Sequence, residues 1–355
     1  MAAQAEGSGG HEALQPIDPS MAGKLDPVFE KLYNDNVAQT PVKPIDLGEL
    51  RKRYSELYSY GTAPAPEVGR VYDATVPVDD GSGAELAVRV YEPPGTAGPW
   101  PVHLDFHGGG WGLGDLDTEA HICRHLCRKA NVAVIDVAYR LVPEHAFPAG
   151  ITDSFAALRH VRSAHGAARF NVRPDSISVG GVSAGAFIAL ALAHLARDAG
   201  IPLRLVAAGT PVIDDLSQYA SAADSPFASM RDNERAPTLN WARLAWFDRL
   251  KWSSLPADPA AHRAARDAVG WFANLLRAPS YAGLPRTLLF TAGADPLRDE
   301  GERYAQLLLQ NGVEVVARRF PGVPHPFMHM DKDLWQAREF IDRTARELRL
   351  AHWDP

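Results

Sequence analysis

Cysteine is scarce in this chain of 355 residues: only Cys123 and Cys127 occur, four apart in a predicted helix. Two thiols cannot form the set of bridges that holds disulfide-rich secreted domains together, and a reducing compartment fits them. Asn-x-Ser/Thr is absent as well, which argues against secretion. No apolar run approaches the roughly 18 residues that a membrane span needs. The opening MAAQAEGSGGHEALQ has neither a basic n-region nor an apolar h-region. It does not read as a signal peptide, and a cytoplasmic location is expected. Basic residues are outnumbered, 36 against 43 acidic, for a net charge of −7, which excludes a general nucleic-acid binder. Glycine (29) and proline (28) make up only about 16% of the chain, below the level of a fibrous or low-complexity protein.

The 46% of hydrophobic residues is ample for a large core. Residues 1–20 are small, polar and aperiodic, and read as a disordered tail. Two helical stripes follow over residues 21–65, Leu25, Val28, Phe29 and Leu32, then Leu47, Leu50, Tyr54, Leu57 and Tyr58 behind an N-cap at Asp46. They read as an appendage to the main domain. RVYDATVPV and ELAVRVYEP then alternate like an antiparallel hairpin around DDGSG. Beyond them, apolar strands at 102–106, 132–138, 176–181, 203–209, 286–293 and 313–320 alternate with helices near 118–129, 150–165, 184–199, 299–311 and 333–349. This rhythm predicts an α/β fold, a mostly parallel central sheet with helices on both faces, over 66–210 and 281–355. Between 211 and 280 the rhythm fails. That insert contains Trp241, Trp246, Trp252 and Trp271 and reads as a cap or binding element. It is expected to pack with residues 1–60 above the carboxyl ends of the strands.

Gly181-Val182-Ser183-Ala184-Gly185 lies between a predicted strand and the helix AGAFIALALAHLA. A sharp strand-to-helix turn there lifts the Ser183 hydroxyl above the sheet, and flanking glycines avoid collision with the neighbouring strand and helix. His107-Gly108-Gly109-Gly110-Trp111 follows the strand VHLDF. Consecutive glycines expose backbone N–H groups, and two of these with the N–H of Ala184 would form an oxyanion hole. Neither G-x-G-x-x-G nor G-x-x-x-x-G-K-[ST] occurs at this cluster, which excludes a phosphate loop. A serine nucleophile needs a base, and the base an orienter. Asp295 in GADPL and His325 in GVPHP follow late strands, in the chain order Ser, Asp, His. Two competitors lie close by. Asp299, with Glu302 three residues on, reads as a capping box, and His329 lies four residues beyond His325. His121, Cys123, His125 and Cys127 resemble metal ligands, but on a helix the His pair and the Cys pair face opposite sides. The four cannot close on one tetrahedral ion, and no metal is expected.

In order, HGGGW, YRLVPEHAFPAG (139–150), GVSAG, DPLRDEG (295–301) and His325-Pro326-Phe327 resemble the hormone-sensitive-lipase family of α/β-hydrolases over residues 70–350. The resemblance implies hydrolysis of carboxylic esters, no cofactor, and a cap of N-terminal helices plus an insert. By the same match Ser183 is nucleophile, His325 base and Asp295 orienter, with oxyanion N–H groups from Gly109, Gly110 and Ala184. Gly108 and Trp111 are expected to touch substrate. The family carries Asp or Thr where Val182 stands and Gly where Pro326 stands. Family members often form homodimers. The expected substrate is a small to medium ester, apolar or aromatic to suit the Trp-rich insert. An amidase, deacetylase or lactonase would use the same triad. A non-catalytic receptor on this fold would have lost part of it, whereas all three residues are present.

Overall fold

A computed structural model describes residues 14–41, 46–57, 59–78, 80–95 and 97–354. Eight strands form one sheet: β1 Arg70–Pro77, β2 Glu85–Glu92, β3 Trp100–Phe106, β4 Ala133–Val137, β5 Val172–Val182, β6 Val206–Gly209, β7 Thr287–Ala292 and β8 Val315–Phe320. Their order is β1-β2-β4-β3-β5-β6-β7-β8. β1 and β2 are antiparallel, β2 joins β4 antiparallel, and the remaining pairs are parallel. β3, β4, β6 and β7 are buried at every residue, because helices cover both faces of a parallel sheet.

Alternation along the strands divides the core. Val102, Leu104, Ile135, Val137 and Leu289 face α5 (Ala149–Arg162) and α7 (Ala184–Asp198). Val134, Leu288 and Phe290 face the opposite layer, α4 (Ala120–Ala130) and α12 (Trp335–Trp353). Three further helices complete the core and its N-terminal approach. α6 is Ala164–Phe170 and α11 is Arg298–Gln310, while α1 is Pro27–Asn36. Residues 211–280 leave after β6 and return before β7, and carry α8 (Ala228–Asp232), α9 (Trp241–Trp252) and α10 (Pro259–Val269). Among the described residues no helix is long and apolar enough to cross a membrane.

The N-terminal expectations change. Residues 1–13 lie outside the described residues, but 14–20 are tied down. Leu14 bridges Pro41, and Gln15 donates from its backbone to Ala38 O at 3.2 Å and from its side chain to Thr40 Oγ1 at 2.9 Å. α1 is part of the main core and not of a cap. Phe29 and Tyr33 are buried with Val323, Phe327 and Met330, and Asp26 N donates to Gly322 O at 2.7 Å. Val28, counted in the apolar stripe, is exposed. The second stripe is two short helices, α2 Leu47–Lys52 and α3 Tyr54–Leu57. Asp46 caps α2 by accepting from Glu49 N at 2.8 Å; Tyr58, in that stripe, and Asp79, in the hairpin turn, lie outside the described residues.

The segment 139–150 ties the turn after β1 to α5 through Arg140. Arg140 donates to the fully buried Asp153 from its backbone at 2.9 Å and from Nη2 at 2.6 Å, and its Nη2 also reaches Asp80 at 2.7 Å. Removing Asp153, the fully buried partner, leaves Arg140 with only the partly exposed Asp80 and costs the backbone N–H of Arg140 its acceptor. Asp153→Ala is expected to lower unfolding stability by about 3 kcal/mol, read from urea midpoints; a loss under about 1 kcal/mol would assign the pair no more weight than a surface contact.

Candidate active site

Ser183 joins β5 to α7 at φ 58° and ψ −118°, a region that side chains other than glycine rarely occupy. The surroundings hold it there. Ser183 N donates to Gly209 O at 2.8 Å, and Ser183 O accepts from Phe187 N at 3.0 Å. The expected need for flanking glycines has a direct cause: a Cβ at Gly185 would lie 1.7 Å from Phe106 O, and one at Gly181 would lie 2.2 Å from the same oxygen. Ala184 opens α7, whose first N–H groups have no partner within the helix.

Phe106 ends β3, so the same approach brings the glycine loop beside Ser183. Tyr139 Oη donates to His107 O at 2.8 Å and its ring stacks on the His107 imidazole at 4.3 Å. Gly108 N donates to Glu119 Oε1 at 3.3 Å, which removes it from any ligand. Gly109 and Gly110 have φ of 117° and 57°. A Cβ on Gly110 would lie 2.3 Å from Phe247 Cδ1, so the insert closes directly over this loop.

Asp295 follows β7 and His325 follows β8, both buried. His325 Nδ1 lies 2.8 Å from Asp295 Oδ2, and Asp295 Oδ1 accepts from Leu297 N at 2.9 Å. A carboxylate oxygen accepts, so Nδ1 carries the hydrogen and Nε2 presents its lone pair. The competitors lie elsewhere. Asp299 forms no capping box: it sits in the first turn of α11 and accepts from Ser229 N at 2.8 Å, tying α8 to the core. Glu302 instead accepts from Thr291 Oγ1 at 3.0 Å. His329 faces Glu119 at 3.6 Å.

Ser183, His325, Gly109, Gly110 and Trp111 line one cavity of about 730 Å³. Gly108 falls in a smaller neighbour of about 380 Å³ that also touches Ser183 and His325. Leu216, Met230, Leu239, Leu244 and Phe247 of the insert and Tyr54 of α3 enclose the large cavity. The insert's tryptophans serve packing instead: Trp252 is buried 5.4 Å from Phe147, Trp246 packs on Phe247, and Trp271 lies 5.0 Å from His194. Pro326 caps a short turn, Phe327–His329, and lines both cavities.

Several polar lining residues escaped sequence reading. Glu119 is buried at the start of α4, and burial, reinforced by Asp105, pushes it up to about 8. Held as a neutral acid, it can anchor Gly108 without adding a charge near Ser183. Glu300 lies inside DPLRDEG and accepts from Ile213 N at 2.7 Å, fixing the exit from β6. Asp248 and Lys251, 3.7 Å apart, add a polar pair to the lining, with the ammonium over the rings of Trp111 and Trp252 at 5.0 and 4.7 Å.

Comparison with known proteins identifies the family and the fold. The sequence model of the α/β hydrolase fold family matches residues 103–329. The chain is 34% identical to the carboxylesterase NlhH of Mycobacterium tuberculosis, over 92% of this chain and 96% of that one. It is 30% identical to an arylesterase of Saccharolobus solfataricus, over 94% and 99%. Among solved structures, the esterase of Pyrobaculum calidifontis superposes with a TM-score of 0.77 at 30% identity, over 92% of this chain and 98% of that one. The thermostable carboxylesterase EstE1, cloned from a metagenomic library, gives 0.74 at 32%, over 87% and 98%. The extent of these matches places the chain: it belongs to the hormone-sensitive-lipase family of α/β-hydrolases and is a carboxylesterase.

Proposed function

We propose that this carboxylesterase works through Ser183, His325 and Asp295, on small to medium esters whose apolar or aromatic part fills the cavity under the insert. The 2.8 Å contact between His325 Nδ1 and Asp295 Oδ2, beside a serine held at a strained turn, is the observation that carries the reading. Nε2 of His325 takes the Ser183 proton as Oγ bonds to the ester carbonyl carbon. Asp295 keeps the tautomer and stabilises the imidazolium. The carbonyl oxygen, now negative, is held by the N–H groups of Gly109, Gly110 and Ala184, aided by the amino end of α7. When the C–O bond to the alcohol breaks, His325 returns the proton to the leaving oxygen. Water then attacks the acyl-serine by the same route, releasing the acid and restoring Ser183.

Specificity rests on the insert. Leu244 and Phe247 on α9 and Leu239 before it supply apolar lining from the insert, and Tyr54 of α3 adds to it. α2 is fastened over the glycine loop by Arg51, which donates to Gly112 O at 2.8 Å and Val142 O at 2.7 Å. The cap we infer is therefore the insert with α2 and α3.

Ser183→Ala is expected to lower kcat for a p-nitrophenyl ester by roughly 10⁴- to 10⁶-fold with an unchanged melting curve; a variant within tenfold of the parent overturns the assignment. Phe247→Ala is expected to shift preference toward longer acyl chains, since each methylene in such a pocket is worth roughly 1–3 kcal/mol. Acetate turnover should stay nearly constant. An unaltered chain-length profile would remove Phe247 from the acyl pocket.

A further inference from the structure

One face of α4 has no role in the chemistry above. Cys123 and Cys127 are buried in the core, whereas His121 and His125, one helical turn apart, share the other face with ring centroids 4.7 Å apart. Asp331, six residues beyond His325, faces both. Its Oδ1 lies 2.9 Å from His121 Nε2 and its Oδ2 lies 3.7 Å from His125 Nε2. The side chains are only 11%, 14% and 6% exposed. All four ring nitrogens of the two histidines are shielded from solvent without an aligned hydrogen-bond partner, the short His121–Asp331 contact included. Buried polar atoms left in that state carry a desolvation cost that a ligand would relieve.

One ligand atom from each residue lies within 4.8 Å of the others. Tetrahedral zinc with bonds of about 2.0–2.2 Å sets its ligand atoms about 3.4 Å apart, and the observed 2.9 and 3.7 Å bracket that spacing. Two imidazoles and one carboxylate suit a borderline divalent ion, whereas calcium and magnesium want oxygen alone. The carboxylate is already oriented. Asp331 Oδ1 accepts from Ala63 N at 3.0 Å, and Asp331 O accepts from Arg338 Nη1 at 2.9 Å. None of the three residues lines either cavity at Ser183.

We propose that His121, His125 and Asp331 form a binding site for a divalent cation of the zinc class, with water completing the coordination. Such an ion joins α4 to the loop that follows His325 and to the segment at Ala63. Its role is to fasten that loop, not to take part in ester cleavage.

The test uses the full chain stripped with chelator and titrated with ZnCl2 by calorimetry, followed by thermal melts. One saturable ion per chain is expected, with a rise in Tm of roughly 3 °C at a hundredfold excess over Kd. His125→Gln and Asp331→Asn should each weaken binding about 100-fold while still hydrolysing a p-nitrophenyl ester, which shows that they fold. Crystals soaked in ZnCl2 supply a readout independent of the variants: anomalous density between the two Nε2 atoms and the Asp331 carboxylate. Absence of saturable binding, unchanged affinity in both variants, or anomalous density only elsewhere overturns the site.

Discussion

The approach of α7 to the end of β3 governs this active site. Gly181 and Gly185 both face Phe106 O at distances that no Cβ could share. Because Phe106 is the residue before His107, one contact seats Ser183 in its strained turn and sets the glycine loop beside it. Any larger residue at either position would separate the serine from the N–H groups of that loop. The strain at Ser183 persists because the surroundings over-determine it, from the Gly209 carbonyl on one side to the first turn of α7 on the other.

Around that contact the loop is fixed by polar anchors from three other segments. Tyr139 holds His107 O, Glu119 holds Gly108 N, and Arg51 holds Gly112 O. The insert closes over Gly110 through Phe247. In the mechanism we propose, donors held this firmly would need little reorganisation when charge develops on a substrate oxygen. Burial pushes Glu119 up to about 8 and pulls His329 down to about 4, which favours the uncharged form of both beside Ser183. Asp248 and Lys251, 3.7 Å apart, add a paired acid and base to the lining of the large cavity.

Much of this was legible in the sequence, for physical reasons. Buried strands are short apolar runs, and six of them fell where the structure has strands. β5 begins at Val172, ahead of the expected 176, because Trp100 of β3 pairs with Val172, and the extra residues of β5 are absorbed before the regular register resumes at Val102 and Ile177. The motifs that border strands were readable because backbone geometry dictates their glycines. What could not be read depends on distant partners. α1 has an ordinary amphipathic stripe, and only the membership of Phe29 and Tyr33 in one buried cluster with Phe327 and Met330, with the tie of Asp26 N to Gly322 O, shows that it belongs to the core. Of the insert's tryptophans, Trp252 and Trp271 pack against the domain and Trp246 packs behind Phe247, while Leu244 and Phe247 line the cavity. Helical spacing separated His121 and His125 from the two cysteines. Nothing in that spacing could reveal Asp331, which the fold delivers from the far end of the chain.

The account turns on Ser183 and the N–H groups of Gly109, Gly110 and Ala184 meeting at one reacting centre. A crystal structure of the adduct with an alkyl phosphonate p-nitrophenyl ester measures this directly, since the phosphoryl oxygen stands in for the oxyanion. The account predicts phosphorus bonded to Ser183 Oγ and its unesterified oxygen about 2.7–3.1 Å from those nitrogens. Phosphorus on another residue, or an oxygen turned away from all three N–H groups, would contradict it.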